Sequence, residues 1–269
     1  MKKYFILFLI VATIKTKAQE LFVVTEPASN MPTGAIGVRA MNSFMYKADG
    51  SLNFHVMPEI MWGASAKWMF HLQSYLSNRA AGGLYNEGGS VYTKYRFFST
   101  DDLHKHTRAA FYARYSLNRA DIHQEEIETM GHNTGYELGV VATELINKVA
   151  ISTSVSFEQA LDNKPNYKYP ITQSNNATNY TLSFGKLMYP KQYTGGLKQT
   201  NINLMCEFLG QTLNKNGRSY LDIVPSVQFI IRSQARLDVA YRQQLYSAMA
   251  RTAPNGFIIK LEYTFFNVR

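Results

Sequence analysis

The stretch FHVMPEIMWGASAKWMFHL, Phe54 to Leu72, decides the fold. Its first half alternates between an apolar set, Phe54, Val56, Pro58, Ile60 and Trp62, and a second set, His55, Met57, Glu59 and Met61. After the small residues Gly63–Ala66 the alternation resumes, with Trp68, Phe70 and Leu72 on one side and Met69 and His71 on the other. A period of two is the signature of a strand, and two such runs about a short turn make a hairpin. Which set faces a protein interior, and which faces something else, is the question for the whole chain.

Past Pro32 the same period continues almost to the end. Twelve strands are predicted, roughly Ala35–Ala48, Asn53–Trp62, Lys67–Ser77, Ser90–Phe98, Thr107–Leu117 and Thr134–Leu145, then Val149–Leu161, Asn179–Tyr189, Lys198–Leu209, Ser219–Arg232, Ala235–Gln243 and Gly256–Phe266. No helical period competes, although Glu125–Met130 has room for one helical turn inside a loop. Each strand has a strongly apolar edge, such as Val149, Ile151, Val155 and Phe157, and a polar edge, such as Ser152, Ser154, Ser156 and Glu158. A soluble sandwich packs the apolar edge inside. A transmembrane barrel turns it toward lipid.

Loop lengths separate the two. An outer-membrane barrel keeps both termini and its short turns on the periplasmic side, so connections after even-numbered strands are expected to be tight. Gly63–Ala66, Ile146–Lys148 and Ser233–Gln234 fit, while Asn118–Asn133 and Asn163–Thr178 are long and follow odd strands. Ser99–His106 and Pro190–Leu197 are intermediate. The expected fold is all-β: a closed antiparallel transmembrane β-barrel of about twelve strands, wound as an up-and-down meander over residues 34–269. Phe54, Val56, Ile60, Trp62, Trp68, Phe70 and Leu72 then face lipid, with the two tryptophans at an interfacial girdle. Pro58 gives no ladder hydrogen bond and predicts a bulge or bend.

The first eighteen residues read as an export signal. Lys2 and Lys3 precede the apolar run Tyr4–Ile14, and Thr16-Lys17-Ala18 ends in a small residue, so cleavage is expected after Ala18. Loss of Lys2, Lys3, Lys15 and Lys17 leaves 24 of the 28 basic residues against 19 acidic ones, a net charge of +5. Much of the basicity is therefore targeting signal, which argues against nucleic acid as a partner. The single cysteine, Cys206, excludes an internal disulfide. Residues 19–33 form an N-terminal periplasmic segment, a short apolar run followed by turn formers, expected to tuck into the periplasmic mouth or lie beneath it.

With the apolar edges outward, the lumen is lined by charge. Its basic members are Arg39 on the first strand, Lys67, Lys94, Arg96, Arg108 and Arg114 on the third to fifth, and Arg236, Arg242 and Lys260 on the last two. Its acidic members are Glu59 on the second strand, Glu137, Glu158, Glu207 and Asp222 on the sixth to tenth, and Asp238 and Glu262 on the last two. Two outcomes are open: a water-filled passive channel for small polar or ionic solutes, with these side chains lining the pore, or a salt-bridge lattice that fills the lumen of a structural or accessory barrel.

A third reading concerns Met45, His55, Met61, Met69 and His71 on the lumen edge. Pairing about Gly63–Ala66 is expected to set Met61 opposite Met69 and Glu59 opposite His71, and pairing across Asp49-Gly50 to set Met45 opposite His55. Thioether and imidazole ligands suit Cu(I)-type ions, whereas the bland role of methionine is adaptable filling. The polar turn Asp101-Asp102-x-His104-x-His106 has ligand spacing too, though solvated His and Asp are common in turns.

The opening segment and the MPEIMWG hairpin (Met57–Gly63) resemble those of a family of uncharacterised outer-membrane β-barrel proteins of the Bacteroidota. The terminal LEYTFFNVR resembles the last strand of bacterial outer-membrane barrels, with three residues following Phe266. These resemblances imply an outer-membrane location in a Gram-negative cell and contact with its lipids, not a defined activity. No enzyme is expected: a lipid hydrolase of the outer-membrane phospholipase type needs a Ser–His pair on the lipid-facing wall, and His55 and His71 fall on the lumen edge. His123 and His132 lie in a loop without a partnering Gly-Ser motif, and Tyr85–Gly89 lacks the strand–helix context of a phosphate loop. No cofactor is expected.

Overall fold

The alternation closes on itself. In the computed structural model, which describes residues 22–79, 83–102, 105–163, 166–190, 199–266 and 268, twelve antiparallel strands form one barrel. They are β1 (Ile36–Tyr46), β2 (Leu52–Gly63), β3 (Trp68–Ser77), β4 (Tyr85–Asp101), β5 (Lys105–Asn118) and β6 (Gly135–Ile146), then β7 (Val149–Ala160), β8 (Asn176–Tyr189), β9 (Thr200–Leu213), β10 (Ser219–Ile231), β11 (Ala235–Ser247) and β12 (Asn255–Phe265). Every strand pairs with its sequence neighbours, and β1 closes the circle on β12, Ile36 opposite Phe265. Closure leaves no strand edge unpaired, which hydrocarbon demands.

The two faces sort as the period requires. Leu72 is 61% exposed and Ile60 54%, whereas Met61 and His71 between them are buried. At the end where β2 turns into β3, aromatic rings gather on the outside. Trp68 stacks near Phe70 and Tyr95, Phe97 stacks on Phe111, and Tyr263 meets Phe265 edge to face. Amphipathic rings at such a rim are what a membrane interface selects.

Several local expectations are corrected. Pro58 makes no bulge, since β1–β2 pairing runs through Ala40↔Pro58 in constant register, but the ladder is interrupted as expected on the β3 side, where Met57 and Pro58 have no partner. The bulge beside β3 lies on β4 instead, where Tyr75 pairs with Gly88 and Leu76 with Asn86. The β2–β3 hairpin is displaced by two residues, so Met61 faces His71 and Glu59 faces Gln73. Likewise Met45 faces Asn53, and His55 faces Ser43. Gly63 is the cause: it belongs to the strand, pairs with Met69, and leaves no room for a Cβ against Pro32 O, 2.3 Å away. A shift by two keeps every side chain on its face. Glu125–Met130 forms no helix, although a single turn closed by His132 N on Glu128 O (3.1 Å) begins at its end. β4 starts at Tyr85 and ends at Asp101, earlier and later than its pattern indicates, and β5 starts at Lys105. The export signal at 1–18, His104 and Lys198 lie outside the described residues.

Candidate functional site

The lumen is occupied by the chain itself. Residues 22–33 leave the rim at β1 and run through the interior, with Phe22, Val23, Ala28 and Met31 buried. Lumen side chains of β1, β3, β4, β5, β6, β8, β9 and β12 all reach this segment, and contacts around the whole circumference are possible only from inside. The Glu207 carboxylate, 0% exposed, accepts hydrogen bonds from the N–H groups of Val23 (2.8 Å), Val24 (3.1 Å) and Thr25 (2.8 Å) and from the Thr25 hydroxyl (2.8 Å). Lys260 Nζ donates to Phe22 O (3.0 Å) and Val23 O (2.7 Å). Lys94 Nζ, also fully buried, donates to Pro27 O (2.7 Å) and Ser29 O (2.9 Å). Thr143 Oγ1 accepts from Ala28 N, Arg108 donates to Ser29 Oγ, and Met69 Sδ accepts from Met31 N. The segment bends at residues 23–25 and belongs to neither helix nor sheet, so these side chains supply the bonds its buried backbone requires.

Glu26 carries the segment's one acidic charge. It meets Arg39 at 2.7 Å and Lys94 at 3.8 Å. Burial opposes its ionisation, but Arg39 and Lys94 outweigh burial and hold its carboxyl well below the usual range.

From the other end, the loop between β5 and β6 folds inward. Ile127 exchanges hydrogen bonds with Gln211, donating through its N–H (3.0 Å) and accepting at its carbonyl (2.7 Å). Thr129 N donates to Glu158 and Thr129 O accepts from Tyr75 Oη. Glu126 joins Arg242 (3.1 Å) and Arg251 (2.7 Å), and both arginines also hold Asp222 at 2.7 Å. Burial raises the Glu126 carboxyl, but the two arginines prevail and hold it below the ordinary range. Its neighbour Glu128 goes the other way: burial, reinforced by the Glu126 charge, lifts it to about 7. His132, 3.2 Å from Glu128, is pushed well below its usual value by burial and then by Arg79.

Most of the sequence-predicted pore residues therefore meet chain rather than water. Arg39 links Glu59 (2.6 Å) to Glu26, and Glu59 also meets His71 Nδ1 at 2.7 Å. Glu262 lies 3.4 Å from Arg236, which approaches Asp238 at 2.9 Å without hydrogen-bond alignment. Arg114 reaches Glu137 at 3.6 Å and stacks over Tyr92. Glu158 is buried and, among the described residues, accepts from the neutral donors Thr129 N, Asn179 and Gln211. Arg96 is half-buried beside a second irregularity of β4, where Arg96 pairs with Ala110 and Phe98 with Ala109. Lys67 is the exception: it lies in the β2–β3 turn, outside the strand, and is exposed, so it lines no lumen. Sequence reading placed none of Glu26, Glu126, Arg251, Gln211 and Tyr75 in the lumen. Gln211 and Tyr75 carry the lumen parity of their strands, whereas the first three stand in aperiodic segments that give no such signal.

Among the described residues, cavities are left inside the lumen on either side of the inserted chain. One of about 160 Å³ lies between the segment and the loop, lined by Glu26, Glu128, Glu137, Glu158, Tyr92 and Tyr112 among others. The second, about 50 Å³, lies against β1 and β2 and is bordered by Met41, Met45, His55, Met57 and Met130. The predicted metal set divides: Met45 and His55 border this small cavity, whereas Met61 and Met69 pack with Met31, Ala35 and Tyr92.

A closed antiparallel barrel with an apolar exterior and a charged, filled interior has the fold of outer-membrane β-barrels. The NanC porin matches with a TM-score of 0.51 at 11% identity, covering 85% of this chain and 98% of that one. The β domain of the Bordetella autotransporter BrkA matches with a TM-score of 0.46 at 15% identity over 87% of this chain and 100% of that one. Pseudomonas aeruginosa OprD matches at 0.40, with 7% identity over 91% and 98% of the respective chains. No family model and no curated protein sequence matches the chain.

Proposed function

We propose that this protein resides in the outer membrane of a Gram-negative cell as a closed-lumen barrel, shut by its own residues 22–33 and by the β5–β6 loop, rather than as a standing passive pore. The observation that carries the reading is the grip of Glu207 on three consecutive N–H groups, opposed by Lys94 and Lys260 on four carbonyls. A carboxylate has acceptors only and an ammonium donors only, so each is matched to one side of a peptide backbone. Side chains that would set the charge preference of an open pore are here committed to holding a segment in place. Small polar or ionic solutes pass only if that segment leaves. Lipid contact follows from the apolar belt with its aromatic rim, and export from a cleaved signal peptide.

Planar-bilayer recording of refolded protein tests the reading. Wild type is expected to be silent at any salt concentration, and a variant lacking residues 22–33 to conduct. Steady conductance from wild type, equal to that of the deletion, overturns closure.

A further inference from the structure

The small cavity against β1 and β2 has an unusual donor set. Register places Met41 directly opposite Met57 on the lumen face, with Met45 and His55 beside them. Met130 descends into the same space from the β5–β6 loop. The position a Cβ would take on Gly131 lies 3.6 Å from Met57 Sδ and 3.8 Å from His55 Nδ1, so both atoms border the same side of the Gly131 backbone. His55 is 7% exposed and makes no hydrogen bond to any described residue; its Nε2 is buried and unpartnered. The His55 ring packs edge-on against His132, centroids 4.8 Å apart, but a buried imidazole nitrogen without a hydrogen-bond partner is costly unless something else occupies it.

The neighbouring hard donors are already engaged. Glu126 is held by Arg242 and Arg251, and His132 Nδ1 by Gln124 (3.0 Å) and Glu128 (3.2 Å). Among the described residues no three His, Cys, Asp or Glu side chains converge as a borderline or hard divalent ion requires. What remains without a hydrogen bond is thioether sulfur, with Met41 and Met57 also packed in the cluster of Phe22, Val23 and Tyr75, and one imidazole, a soft set. We infer that this chamber binds one soft monovalent ion, Cu(I) or its stand-in Ag(I), through Met57 and His55, with Met41, Met45 and Met130 completing the shell.

The second methionine cluster supplies the contrast. Met69 sulfur already accepts from Met31 N, and His71 Nδ1 is taken by Glu59, so Met61 and Met69 act as filler there.

The test is titration of the refolded full chain with Ag(I) by native mass spectrometry, and with Cu(I) under anaerobic reducing conditions against a chromophoric Cu(I) chelator. Wild type is expected to take up one equivalent, with Cu–S scattering at the copper K edge. The double variant Met41→Leu/Met57→Leu keeps the apolar volume and is expected to weaken binding by at least the roughly 100-fold that even outer-shell losses reach. Met61→Leu/Met69→Leu is expected to bind as wild type does. Folding of each variant is checked by heat-shifted gel mobility. No stoichiometric ion on wild type, equal affinity in the Met41/Met57 variant, or an equal loss in the Met61/Met69 variant overturns the site. Conductance is read separately, so the failure of this site and the failure of lumen closure are distinguishable.

Discussion

Glu207→Gln isolates the grip on the N-terminal segment. The wild-type carboxylate accepts from Val23 N, Val24 N, Thr25 N and Thr25 Oγ1. An amide of the same shape has one acceptor oxygen, and its NH₂ points donors at the remaining N–H groups. About two buried N–H groups lose their acceptor, at about 1–3 kcal/mol each. Docking is thus weakened by roughly 2–6 kcal/mol, and at 1.4 kcal/mol per tenfold the undocked population rises roughly 30-fold to 10⁴-fold. The assay is labelling of Ala28→Cys by a membrane-impermeant maleimide in liposomes, in a Cys206→Ser background. Ala28 is 0% exposed when docked, so the labelling rate reports undocking. E207Q is expected to accelerate labelling at least about 30-fold and to introduce channel openings. Equal labelling with and without E207Q, in a barrel that folds normally, refutes the idea that this carboxylate holds the segment.

Other expectations follow from the same geometry. Lys260→Met removes two donors from the Phe22 and Val23 carbonyls and is expected to accelerate the same labelling less than E207Q does; a larger effect would misplace the main anchor. Glu128, raised to about 7 from its ordinary 4.5, binds a proton more readily with the loop docked. Its contribution to docking is therefore full below about pH 4.5 and declines as pH rises to about 7. Glu128→Gln is expected to tighten the loop above pH 7 by up to about 3 kcal/mol, read as slower hydrogen exchange at Ile127 and Thr129; unchanged protection at pH 8 contradicts this. His132 works in the opposite sense: its depressed value favours docking above about pH 6.5 and weakens it below, so His132→Gln is expected to remove the acid-side loosening. Leu72, the most exposed large apolar residue of the β2–β3 hairpin wall, is expected to cost roughly 2–4 kcal/mol on replacement by Arg near the bilayer midplane. Trp62 and Trp68 fluorescence is expected to be quenched by brominated lipid, and an unquenched signal would place water, not lipid, against that face.

Much of the barrel was legible because a strand writes its two environments into alternate residues. Phe54, Ile60 and Trp62 against His55, Glu59 and Met61 required only that one face be greasy and the other not, and strand boundaries followed to within a few residues. Turn lengths then chose between sandwich and barrel. Register was less legible: Gly63 belongs to no side, so sequence alone could not say whether it ended β2 or opened the turn, and the hairpin pairs two residues away from its expected place. The filled lumen was hidden altogether. Glu207 reads in sequence as one more polar alternate residue, and its partners Val23–Thr25 lie more than 180 positions away in a segment without period. Glu126 and Arg251 meet from two separate loops. Local alternation is set by which medium each face touches, and a chain records that residue by residue. What occupies the space inside is set by closure of the whole cylinder, which brings distant carboxylates, ammonium groups and peptide bonds together only once the last strand has met the first.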